Sequence, residues 1–130
     1  MFTWLISGLL AKAGYTDEVP QGVRKVVVAT EYPEAQFKLV DDSTALVEEF
    51  RNAALYVYHN MSVEKPIVVV CQQGRSRSVA IACCAAALYR GTSYQDEHDW
   101  LRFVDNSVWE VSNIHEVAKV ALPYLFWEKK

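Results

Sequence analysis

Cys71 and Arg77 stand six positions apart, with Gly74 between them, in the segment Val68–Ser78 (VVVCQQGRSRS). A thiol and a guanidinium at this spacing suit attack on, and capture of, a tetrahedral anion. The apolar run before Cys71 reads as a buried strand, and the apolar run after Ser78 reads as a helix. At such a junction a glycine-containing loop turns successive backbone N–H groups, with the helix N-terminus, onto an anion. The same field favours the thiolate of Cys71, which is the nucleophilic form. The planar guanidinium of Arg77 can return to the centre of the loop and hold two phosphate oxygens, which a lysine cannot do. Gln72, Gln73, Gly74, Arg75 and Ser76 make up the rest of the cradle. Arg75 adds positive charge at its rim.

The other chemistry-bearing side chains form no second constellation. Cys83 and Cys84 are adjacent within an apolar stretch and read as core filling, and no Cys or His spacing fits a zinc site. His59, His98 and His115 are isolated on predicted helices and read as packing or surface residues. Trp4, Trp100, Trp109 and Trp127 read as core or edge aromatics, because their spacing makes no stacking platform. A metal-free, cofactor-free protein in a reducing, cytoplasmic setting is expected.

These side chains need a scaffold, and 130 residues with 52% hydrophobic content suffice for one domain spanning residues 1–130. Val23–Thr30 and Pro66–Val70 are β-branched runs without polar alternation, as in strands covered on both faces of a parallel sheet. A weaker strand is predicted over Gln36–Val40. Between these runs Leu46, Phe50, Ala53, Ala54, Val57 and Met61 recur at helical spacing, which predicts a helix over Ser43–Asn60. Val79–Leu88 predicts a buried helix ending at Gly91, a suitable C-terminal cap. Further helices are expected over Ser93–Val104, with Ser93 as cap, and over Ser112–Phe126, whose last turns Pro123 should disturb. The fold class is therefore α/β, a central, mostly parallel sheet flanked by helices.

The opening Phe2–Leu10 lacks the basic flank of a signal peptide, is closely followed by Lys12, and is far shorter than the roughly 20 apolar residues of a membrane span. It reads as an edge strand and turn. A net charge of −3 provides no global field to gather nucleic acid or an anionic membrane.

The series Cys71, Gln72, Gln73, Gly74, Arg75, Ser76, Arg77, Ser78 resembles the signature of the dual-specificity protein tyrosine phosphatases. The likeness extends loosely from the WLISGLLA opening to Asn113. It implies the fold of that family and a cysteinyl-phosphate mechanism without metal. It assigns Ser78 to hydrogen-bond the sulfur as it leaves, a role compatible with helix-start capping. It also supplies a general acid from a loop before the cysteine. Asp42, followed by Ser43, is the better match, with Asp41 in reserve, although an aspartate here also suits an N-cap. An adjacent thiolate and phosphate dianion would keep that acid protonated in the complex. One departure is Val70, where the family usually has a histidine that orders the loop; it is expected to slow the enzyme or move its pH optimum upward.

With no insertion resembling a phosphotyrosine-recognition loop, a shallow pocket is expected. Phosphotyrosine and phosphoserine or phosphothreonine in proteins are the implied substrates, with phosphoinositides or RNA 5′ phosphates as alternatives; the acidic balance disfavours RNA. A non-catalytic phosphoprotein-binding module is the main rival. A rhodanese-like sulfur transferase also starts its loop with cysteine, but the five residues between Cys71 and Arg77 suit phosphate better.

Overall fold

The computed structural model describes residues 1–41, 46–110 and 113–128. Its elements are β1 (Thr3–Ile6), β2 (Leu10–Gly14), β3 (Arg24–Val27), α1 (Val47–Asn60), β4 (Ile67–Cys71), α2 (Arg77–Arg90), α3 (Tyr94–Val104) and α4 (Asn113–Glu128). The four strands form one mixed sheet in the order β1-β2-β4-β3. β4 runs parallel to both neighbours, with Lys12 opposite Val69 and Gly14 opposite Cys71, whereas β1 and β2 form an antiparallel hairpin. The protein is thus a small α/β domain with a mostly parallel sheet.

Alternation along the strands assigns side chains to two faces. Leu10, Val26, Ile67, Val69 and Cys71 join the large core, which also holds buried apolar residues of all four helices. Ala11, Ala13, Val27, Val68 and Val70 face the other way, against Phe2, Trp4, Val19, Val23 and Tyr32. The helices therefore gather on one face, and irregular chain covers the other. The small side chains of Ala11 and Ala13 let that thin cover close.

α2 is the central helix. Twelve of its residues are buried, so it has no polar face to present to water. On α1, Phe50, Ala53, Ala54 and Val57 form the predicted buried stripe. Full burial of Phe50 alone contributes about 1.5–3 kcal/mol. Leu46, placed on that stripe by its spacing, is instead 70% exposed just before the helix begins. The predicted helix start at Ser43 lies outside the described residues, as does Ser112.

Two further expectations are corrected, and one strand goes unread in the sequence. The opening is the expected edge strand and turn, with β1 at the sheet edge, and the turn leads into β2, a fully buried interior strand. Lys12 hides that strand in the sequence, because a buried charge is tolerated only with a partner that the local pattern cannot reveal. Gln36–Val40 is not a strand but irregular chain with one parallel bridge, Ala29 to Leu39. Its amides reach β3 and the residue after it through Gln36 N to Val27 O and Leu39 N to Val28 O, at 3.1 and 3.2 Å. Finally, α4 continues through Pro123 to Glu128. Tertiary packing of Ala121, Leu122 and Leu125 holds the turn that local propensity disfavours.

Candidate active site

Cys71 ends β4 and α2 begins at Arg77, so the intervening loop crosses from sheet to helix as the sequence requires. Gly74 takes φ +70°, and a Cβ placed on it would lie 2.6 Å from both Ala13 C and Gly14 N. Only glycine lets the loop turn left-handed while lying against the end of β2.

Three of the loop carbonyls accept from groups outside the loop. Tyr15 N donates to Gln72 O at 3.2 Å, Trp109 N donates to Arg75 O at 3.2 Å, and Lys12 Nζ donates to Gly74 O at 2.8 Å. Among the described residues the amides of Gln72, Gln73, Gly74 and Arg75 find no acceptor. A loop with most of its acceptors taken and its donors open is suited to an anion.

Arg77 is 6% exposed and held from behind. Its Nη1 and Nη2 donate to the two carboxylate oxygens of Glu31 at 2.5 and 2.6 Å, and Nη1 also donates to Leu39 O at 3.0 Å. A guanidinium has five N–H donors, so the N–H groups left on Nε and Nη2 form a side-on fork. Among the described residues Nε is buried without a partner, and two oxygens of a tetrahedral anion would satisfy that fork. The bond to Glu31 raises the pKa of Arg77, and the bond from Arg77 holds the Glu31 carboxyl below its ordinary value.

Cys71 Sγ donates to Ser78 Oγ at 3.2 Å in the thiol form. The rotatable Ser78 hydroxyl can reverse that bond and donate to a thiolate. Ser76 Oγ donates to Asp41 Oδ1 at 2.6 Å, tying the loop to the segment after β3. Asp41, Cys71, Gln72, Gln73, Arg75, Ser76, Arg77 and Trp109 line one cavity of about 200 Å³.

The structure therefore brings together Cys71, Arg77 and the cradle residues, with Ser78 behind the sulfur and Gly74 behind the loop. Asp42 lies outside the described residues, and Asp41 reaches the cavity wall. Sequence reasoning missed Glu31, Lys12, Asp105 and Trp109. Lys12 alone left a trace, as a single charge inside the apolar run LLAKAG. Cys83 and Cys84 are fully buried, and burial pushes the pKa of both thiols up. His98 and His115 pack against each other and Tyr94, away from the cavity lining. Among the described residues no cluster of three or more His, Cys, Asp or Glu could hold a metal ion, and no helix is long and apolar enough to cross a membrane.

Compared with models of known families and with curated proteins, the chain matches none.

Proposed function

We propose that this chain is a cysteine-dependent phosphomonoesterase of the dual-specificity type, with the protein tyrosine phosphatase fold. The observation that carries this reading is the convergence of Cys71 and the open fork of Arg77 on one cavity, where the carbonyls of Gln72, Gly74 and Arg75 are bonded to groups outside the loop. At about 200 Å³ the cavity is smaller than the roughly 300–1,000 Å³ that enclose a drug-sized ligand. It takes the phosphoryl group and leaves most of the alcohol outside. Phosphotyrosine and phosphoserine or phosphothreonine in proteins then both qualify as substrates.

In the first step the Cys71 thiolate attacks phosphorus, an S–P bond forms and the ester P–O bond breaks. The leaving oxygen takes a proton from Asp42. In the second step the Asp42 carboxylate takes a proton from water as that water attacks phosphorus; the S–P bond breaks, releasing phosphate and the thiolate. Ser78 donates to the sulfur as it departs. Arg77 and the loop amides meet the charge on the equatorial oxygens in both steps, the electrostatic work that dominates phosphoryl transfer. Asp41, engaged by Ser76, acts as a brace.

The test is hydrolysis of para-nitrophenyl phosphate across pH with EDTA present. The unmodified protein turns over, Cys71→Ser does not, and Asp42→Asn is slower by about 10² or more, the usual contribution of general acid catalysis. Asp41→Asn serves as the comparison, and a larger loss there would transfer the acid role to Asp41. An unmodified protein that binds phosphopeptide without turnover would overturn the enzyme reading in favour of a capture module.

A further inference from the structure

Lys12 is a charge buried in the middle of a sheet. It stands opposite Val69 in β2, and its side chain is fully inaccessible, as is that of its partner Asp105. The ion pair is 2.5 Å long, and the same ammonium donates to Gly74 O at 2.8 Å. Asp105 is in turn fixed by three donors: Thr3 Oγ1 at 3.0 Å, Ser107 N at 3.0 Å and Ser107 Oγ at 2.6 Å. A network this satisfied and this dry holds its members in one geometry. Among the described residues it hydrogen-bonds the loop at the Gly74 carbonyl, at the residue whose left-handed turn sets the loop's path. The network is costly to maintain for packing alone, because apolar residues of like volume usually serve as well as a buried ion pair.

We propose that Lys12 is a positioning residue: with its charge balanced by Asp105, it holds the Gly74 carbonyl outward and so keeps the Cys71–Arg77 loop in its anion-receiving shape. This rests on the reading of the loop as an anion cradle and adds a residue from outside it. Drawing on the Gly74 carbonyl also polarises the peptide that bears the Arg75 N–H, making it a stronger donor towards the cavity. Val70 can form no side-chain hydrogen bond and points to the opposite face of the sheet. Lys12 supplies, from the neighbouring strand, an ordering bond that position 70 lacks.

Among the described residues, the charged groups near Cys71 include Arg77 of α2, Arg75 of the loop, Asp41 and Glu31 after β3, the Lys12–Asp105 pair, and Asp17, which is paired with the N-terminal ammonium and bonded by Gly14 N opposite Cys71. Because the Lys12–Asp105 pair is close to neutral, its effect is one of geometry. Lys12→Met alone leaves Asp105 buried without its cation and is expected to lower the melting temperature strongly. The decisive variant is therefore Lys12→Met with Asp105→Asn, which removes both charges together and recovers most of that stability.

The experiment measures iodoacetamide alkylation of Cys71 across pH, located by peptide mass, and its protection by inorganic phosphate. Exposed Lys25→Met is the control for loss of one positive charge. The double variant is expected to melt near the unmodified protein, to alkylate about tenfold more slowly at pH 6, and to need about tenfold more phosphate for protection. A folded double variant that alkylates and is protected like the unmodified protein would overturn the proposal. A double variant that does not fold while Lys25→Met does would also overturn it, by making Lys12 a requirement of the core. Alkylation without phosphate does not depend on turnover. An inactive protein whose alkylation still responds to Lys12 would reject the phosphatase reading and keep this one.

Discussion

At the scale of the residue, Gly74 does two things that no other residue can do together. Its φ of +70° is strained for any side chain, and a Cβ would meet backbone of β2 at 2.6 Å, where nothing flexible can give way. Gly74→Ala is therefore expected to lose more than about 1–3 kcal/mol in urea unfolding and to abolish phosphate protection of Cys71. Unchanged protection would mean that the loop tolerates another path. Arg77 makes the complementary point. Three of its donors are spent on Glu31 and Leu39, and this fixes the plane of the fork that remains.

At the scale of the element, α2 carries the site on its first turn and is locked at both ends. Its last turn closes on Gly91, which takes φ +71° and donates to Ala87 O at 2.8 Å, with Thr92 N donating to the same oxygen at 3.1 Å. A Cβ on Gly91 would meet nothing within 4 Å, so the only penalty there is conformational. Gly91→Ala should cost about 1 kcal/mol in the same unfolding assay and leave phosphate protection intact. Loss of protection would show that the far end of α2 controls the loop. α3 begins on Ser93, whose Oγ accepts from Asp96 N at 3.1 Å, and its C-terminal loop carries Asp105 and Trp109 to the cradle. His98 Nε2 steadies that loop by donating to Trp109 O at 3.1 Å.

For the whole molecule, acid should act in two windows. Burial, with His98 beside it and Lys119 nearby, pushes His115 down to about 4, and burial lowers His98 as well. The folded protein then binds fewer protons here than the unfolded chain, so this stability is complete above about pH 6.5 and is lost as pH falls towards 4. Asp105 follows at lower pH. Burial raises it, but bonds from Lys12 and Ser107 outweigh burial and leave it at about 2; Glu31 is lowered chiefly by Arg77. The Asp105 contribution is present above about pH 4 and is lost as pH falls towards 2, and that of Glu31 is likewise lost on acidification. Unfolding free energy should thus drop by on the order of 1–3 kcal/mol between pH 7 and pH 5, and by less in His115→Phe. An equal drop in both proteins would remove His115 as the cause.

By itself the sequence determined the strand, loop and helix around Cys71, the stripe of α1, the caps at Ser93 and Gly91, and the α/β class. These follow from near-neighbour rules: hydrophobic period, glycine conformation, and donors placed one turn apart. Tertiary structure alone decided that β2 is an interior strand, that all the helices lie on one face, and that Leu46 is exposed. It also decided which residues stand behind the loop. Glu31 reaches Arg77 across 46 positions, and Lys12 reaches Gly74 across 62. Such pairs leave no periodicity to read, because a buried charge is permitted only by its partner, and the partner is chosen by how the strands pair rather than by how the chain runs.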